Sequence, residues 1–283
     1  MKALLLAAAV AAAPAAQGPA PLDLRSETLT VEHGRQRAIF GGGVVATRGD
    51  LTLECPEVVA TYDARSQVKL VTCHGPVTAK QGDRQMTAQR GQFDNATGLL
   101  TLDGEPTLVE GARRLQGETL VYDANLATAK LTNVRGELPA AEAPDLPGAA
   151  GRGPLFVNAA QVVHDLNARR TVFDGGITAT RGDLVLRAPR LTAQYDESGE
   201  VQRAVTGGGP VTVKQRDRNA RADRAVFTAG ARTLVLDGSP QVTEGASSLT
   251  GTKVTFLLGQ DRVEVEKPRA IFPIGAALPG SRP

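Results

Sequence analysis

The stretch from Gly43 to Asp63, GVVATRGDLTLECPEVVATYD, decides the fold class. Its apolar residues alternate with polar ones. Val44 and Ala46 share a face, Leu51 and Leu53 follow beyond the Gly49 turn, and Val58, Ala60 and Tyr62 continue the pattern. A period of two with β-branched enrichment marks half-buried strands. The same face recurs as Val77 and Ala79, Pro106 and Leu108, Ile177 and Ala179, Val211 and Val213, and Pro240 and Val242. Turn chemistry punctuates the runs, with Asp-Gly at 103–104 and 237–238, Ser198-Gly199 and Thr97-Gly98. Helical spacing is absent beyond the first residues, so the chain is expected to be all-β.

Working outward, the same stretch returns as GITATRGDLVLRAPRLTAQYD at 176–196. AIFGGGVVATRGDLTL falls on TVFDGGITATRGDLVL with Phe40 on Phe173, an offset of 133. GPVTAKQGDR matches GPVTVKQRDR, LTLDGEPTLVEG matches LVLDGSPQVTEG, and RLQGETLVY matches SLTGTKVTF. There Pro76 meets Pro210 and Tyr122 meets Phe256 at an offset of 134, so the chain is a tandem duplication with one inserted residue. Each half repeats within itself, closing units on Tyr62, Phe93 and Tyr122, then on Tyr195, Phe227 and Phe256. A period of about 30 residues signals a stacked architecture, in which a unit buries its apolar face only against its neighbours.

At 283 residues the chain has room for about two domains. Met1 to Ala16 reads as a cleavable secretory signal: Lys2, the run LLLAAAVAAA, then small residues. That run is too short to span a bilayer, and the expected compartment is the periplasm. The expected domains are 22–136 and 154–272, separated by a Pro/Ala/Gly-rich linker at 137–153 and followed by a disordered tail at 273–283. Net charge is +2, and the cations are dispersed. With aromatics at 4% and no tryptophan, neither a nucleic-acid surface nor a stacking platform for sugars is expected. No cofactor or metal is expected, because no histidine or cysteine cluster has ligand spacing. Cys55 and Cys73 flank a hairpin turn at Asp63-Ala64-Arg65. Two readings stand for them: a cross-strand disulfide, allowed in an exported protein, or two small buried residues, since Ala188 replaces Cys55 in the second copy.

Several motifs invite sharper readings that the repeat argues against. Arg48-Gly49-Asp50 and Arg181-Gly182-Asp183 spell an adhesion tripeptide, yet both occupy the same turn of their copies. Asp63, Asp94, Asp123 and Asp196 follow the unit-closing aromatics, which favours turn caps over paired catalytic carboxylates. His33, His74 and His164 are isolated and read as surface residues. Gly41-Gly42-Gly43 and Gly207-Gly208-Gly209 lie between strands with no following helix, so a phosphate cradle is not expected. Lys80, Arg84, Lys214 and Arg218 flank the second turn of each copy and read as a solvated face, with contact to phosphate groups at a rim as the alternative.

These motifs resemble the OstA-like, LptA-type family of periplasmic lipopolysaccharide-transport proteins. The carrying segments are GVVATRGDLTLECPEVVATYD, GPVTAKQGDRQMTAQRGQFD, GITATRGDLVLRAPRLTAQYD and GPVTVKQRDRNARADRAVFT, within Leu24–Gly136 and Phe156–Ile271. The resemblance implies a twisted two-sheet β-jellyroll in two tandem copies, forming a half-open trough that holds the acyl chains of lipid A. Candidate lining residues are Val44, Ala46, Leu53, Ala79, Leu108, Ile177, Ala179, Leu186, Val213 and Val242, with plain core packing the alternative for each. It also implies edge-to-edge assembly with other jellyroll transport components at the inner and outer membranes, or head-to-tail between copies of the chain. The first strand is expected within Leu24–Val31 and the last regular ones within Val254–Val265. About fourteen rungs at ~4.8 Å would make a body of about 60–70 Å. A non-enzymatic carrier is thus weighed against an envelope scaffold that binds proteins by strand addition, and against a secreted β-helical lyase, which lacks supporting residues.

Overall fold

Alternation along the chain becomes pairing between neighbours. The computed structural model describes residues 20–140, 143, 153–258, 260 and 262–273. Among these, the helical structure is a single 3-10 turn at His33–Arg35. Long strands build the first copy: Arg37–Arg48 pairs antiparallel with Leu51–Tyr62, then Val68–Gln81, then Arg84–Asp94. Each pairing is interrupted midway, between Gly41 and Val44, between Glu54 and Glu57, and between His74 and Val77. Such irregularities bend a strand, so the two halves of each long strand enter two different layers.

The short flanking strands make the division visible. Leu22–Arg25 pairs with one half of Arg37–Arg48, and Thr28–Glu32 pairs with the other. What reads as one strand over Leu24–Val31 is therefore two, and they add to different sheets. At the other side, Thr107–Glu110 and Leu99–Asp103 pair with the two halves of Arg84–Asp94. The glycine run makes the bend possible. Gly42 has φ +82, and a Cβ there would lie 2.6 Å from Glu27 Oε2, so a side chain is excluded both by conformation and by space.

The two copies form one continuous stack. Thr128–Leu138 pairs with Leu155–Asp165 from Thr128↔Asp165 to Leu138↔Leu155. Glu137 and Leu138, the start of the expected linker, complete that strand. Most of the expected linker, the signal segment 1–16 and residues 274–283 of the expected tail lie outside the described residues. The second copy repeats the first, with Arg170–Arg181 and Leu184–Tyr195 as its long hairpin. Arg269–Ile271 adds a further strand beyond the expected last ones, against Ser248–Thr250. One apolar cluster runs from Val44 through the junction to Ala179, and a second, around Val211, Leu236 and Val254, lies in the far part of the second copy.

Candidate functional site

Register decides which side chains meet between the sheets, because a pleated strand sends alternate residues to opposite faces. On one sheet, directly opposed positions form a single inward column: Leu24, Ala46, Leu53, Ala79, Met86, Leu108, Leu115, Gly136, Val157, Ala179, Leu186, Val213, Ala220, Val242, Leu249 and Ala270. Ala46, Leu53, Ala79, Leu108, Ala179, Leu186, Val213 and Val242 all stand in it. Val44 and Ile177 lie one pleat further along the same face, opposite Cys55 and Ala188. The facing sheet contributes a second column, through Phe40, Val58, Cys73, Gly91, Leu102, Leu120, Leu131, Val162, Phe173 and Leu191.

The copies differ in how completely this interior is filled. Val44, Ala46, Leu53, Ala79 and Leu108 are all buried in the first copy, as Ile177 and Ala179 are at the start of the second. Leu186, Val213 and Val242 are only half-buried. With Ala179, Ala220, Phe227, Leu236 and Phe256 they line a cavity of about 280 Å³, whose polar edge is Gln215, Arg218 and Asn219. A smaller cavity of about 110 Å³ lies at the junction, lined by Leu108, Leu115, Val157, Phe173 and Tyr195 among others. The two share Leu155, Leu191 and Ala204, so apolar space continues from the junction into the second copy.

Polar side chains cross between the sheets in the first copy. Arg48 lies over the Phe93 ring at 5.5 Å. The Tyr122 hydroxyl donates to Gln81 Oε1, and Gln81 Nε2 donates to Asp50 at 2.7 Å. At the junction, His164 Nε2 is 3.3 Å from Glu110 Oε2, and its Nδ1 is 2.7 Å from the Thr171 hydroxyl. Arg84 Nε donates to Glu110 at 2.9 Å, and Arg113 lies over the Tyr195 ring at 4.9 Å. The hydrogen bond from His164 does most to hold the Glu110 carboxyl down to about 2; burial opposes it and Arg84 assists.

This cluster corrects two sequence readings. His164 is not a surface residue but is buried, because its strand position falls on the inward face directly opposite Thr171. Arg84 leaves the expected solvated face for Glu110, whereas Lys80 stays exposed and pairs with Glu54 at 3.2 Å. No spacing rule joins Glu110 to His164, since they come from different copies.

The other motifs have structural roles. Asp63 accepts from the backbone of Arg65 and Gln67, Asp94 from Ala96 and Thr97, Asp123 from Asn125 and Leu126, and Asp196 from Glu200. Gly49 and Gly182 take φ of 60 and 58 in the two Arg-Gly-Asp turns. Cys55 and Cys73 form a disulfide with Cα atoms 6.1 Å apart. The bridge runs diagonally, because Cys73 opposes Val58 while Cys55 sits in the mid-strand bend.

The fold and its interior define a class: a duplicated two-sheet β-jellyroll stack, apolar between the sheets and open inside its second copy. The family described as LptA/(LptD N-terminal domain) LPS transport protein matches residues 23–127 and 156–262, one segment in each copy, and the chain belongs to that family. It is a family of transport components rather than of enzymes. No curated protein matches the chain. Among solved structures, the chain is similar to LptH, the LptA homologous periplasmic component of the lipopolysaccharide transport device from Pseudomonas aeruginosa. The identity is 20% and the TM-score 0.34, over 37% of this chain and 76% of that one.

Proposed function

We propose that this protein is a non-enzymatic periplasmic carrier of lipopolysaccharide, seating acyl chains between its two sheets and passing them along the stack toward the outer membrane. The observation that carries the reading is the unbroken inward column from Leu24 to Ala270, opening into an apolar cavity with a polar edge. Each methylene removed from water contributes about 0.8 kcal/mol. Within the open part of that column the mainly aliphatic lining keeps that gain similar from rung to rung, so a lipid can advance there without falling into a deep trap. The drive for such movement is supplied from outside the chain. Family membership supports the substrate class.

The ends support assembly with other jellyroll transport components, or head-to-tail between copies of this chain. Among the described residues, Leu22–Arg25 and Thr28–Glu32 pair on one side only, as do Arg262–Glu266 and Arg269–Ile271. Unpaired edges invite strand addition. Exposed Leu29 and Val31 at one end, and Val263, Ile271 and Phe272 at the other, add apolar surface to both. The deciding experiment is equilibrium binding of a fluorescent lipid A probe to the purified protein. Saturable binding is expected. Concentration-dependent oligomers with no lipid affinity would instead favour the scaffold reading.

A further inference from the structure

The copies align residue by residue, so their differences can be read as deliberate changes to one interior. Leu53 corresponds to Leu186, Ala79 to Val213, Met86 to Ala220 and Leu108 to Val242. In the first copy all four are buried, Met86 completely. In the second, all four line the 280 Å³ cavity. An engineered apolar cavity of about 150 Å³ already admits a benzene ring, so this space is large enough for hydrocarbon.

Two kinds of substitution account for the contrast. Met86 fills the space between the sheets, and Ala220 at the same rung withdraws that side chain. The cross-sheet polar pairs change as well. The bond from glutamine to the turn aspartate is common to both copies, Gln81 to Asp50 at 2.7 Å and Gln215 to Asp183 at 3.0 Å, but Gln81 also accepts from the Tyr122 hydroxyl on the facing sheet, and Phe256 in place of Tyr122 has no hydroxyl to give. Arg48 crosses to the Phe93 ring, whereas its counterpart Arg181 donates to the Gly153 carbonyl at 3.1 Å. At the junction, Glu110 and His164 join residues of the two copies and stand at the end of the apolar space. Arg218, Asn219 and Gln215 give the cavity one polar edge, which suits an amphiphile whose tails enter while its head stays in water.

We infer that the two copies are not interchangeable: acyl chains are held in the second copy, from the Glu110–His164 clasp outward, with Ala220 keeping that compartment open. The first copy is a filled segment, kept shut by Met86 and its cross-sheet pairs. This rests on the carrier reading and specifies where the cargo sits.

The test exchanges the two residues at that rung in the full chain. Ala220→Met should lower affinity for a fluorescent lipid A probe at least tenfold, while Met86→Ala keeps it within about twofold or raises it. Because Ala220→Met adds a side chain to open space, its melting temperature should not fall. A measurement on the unsubstituted chain guards against a folding defect. On adding the probe, amide exchange should slow in Leu184–Tyr195 and Val211–Gln215 and stay unchanged in Leu51–Tyr62. If the unsubstituted chain binds and Ala220→Met binds equally well, or protection appears evenly in both copies, this inference is overturned and the carrier reading stands. If the unsubstituted chain binds no probe, both fall.

Discussion

At the scale of single residues, the clasp at the junction is where electrostatics and packing meet. Glu110 is held near 2 against an ordinary value of 4.5, so its ionised form is favoured by the fold. A carboxyl depressed on folding stabilises the protein fully above its unfolded value and loses that contribution as pH falls toward the folded one. Stability should therefore decline between about 4.5 and 2 more steeply in the unsubstituted chain than in Glu110→Gln. At neutral pH the same substitution should cost about 1–3 kcal/mol, because Arg84 and His164 lose a charged acceptor. Urea titrations at stepped pH measure both; parallel pH profiles would show that Glu110 is not linked to folding in this way. Packing gives a simpler expectation. Leu131 is wholly buried in the column of the facing sheet, and Leu131→Ala should cost about 2–5 kcal/mol in the same assay.

At the scale of elements, the mid-strand bend turns a hairpin into two layers. Gly175 carries this in the second copy: its φ is +79, and a Cβ would lie 2.7 Å from that of Ala160. Gly175→Ala should destabilise by about 1–3 kcal/mol, read as a shift in the urea midpoint, through backbone strain and a clash with the neighbouring strand. In the first copy the disulfide ties the bend at Cys55 to the neighbouring strand at Cys73, closing a loop of 18 residues. Removing it with the Cys55→Ser/Cys73→Ser pair should cost about 3 kcal/mol by loop entropy. Treatment with a reductant should reproduce that loss in the unsubstituted chain and leave the double variant unmoved.

At the scale of the molecule, the inward column has sixteen positions, one for each rung from Leu24 to Ala270. At ~4.8 Å between neighbours the stack is about 70 Å long. Small-angle scattering should give a maximum dimension of at least that length. A profile fitted by a compact sphere of the same mass would contradict the continuous pairing of Thr128–Leu138 with Leu155–Asp165. That pairing also means the copies share one interior, which is why cross-copy contacts such as Glu110 with His164 exist at all.

Alternation of apolar residues and the 133–134 offset were enough to establish an all-β duplicated stack and to pick out the face that holds Ala46, Leu53, Ala179 and Val213. These are local properties: a period of two needs only the pleat, and a repeat needs only comparison of the chain with itself. Periodicity is blind to volume, so it assigned Met86 and Ala220 no special role, although their difference separates a filled interior from an open one. It also placed His164 at the surface, although the residue stands two positions from inward Val162 on the same face; its polar partner Glu110, over fifty residues away, leaves no mark on neighbouring positions. The sheet switch at each bend and the joining of the copies into one stack were likewise settled by tertiary structure. Both depend on which strand lies alongside which, and that is fixed by packing between distant segments rather than by the residues of either segment alone.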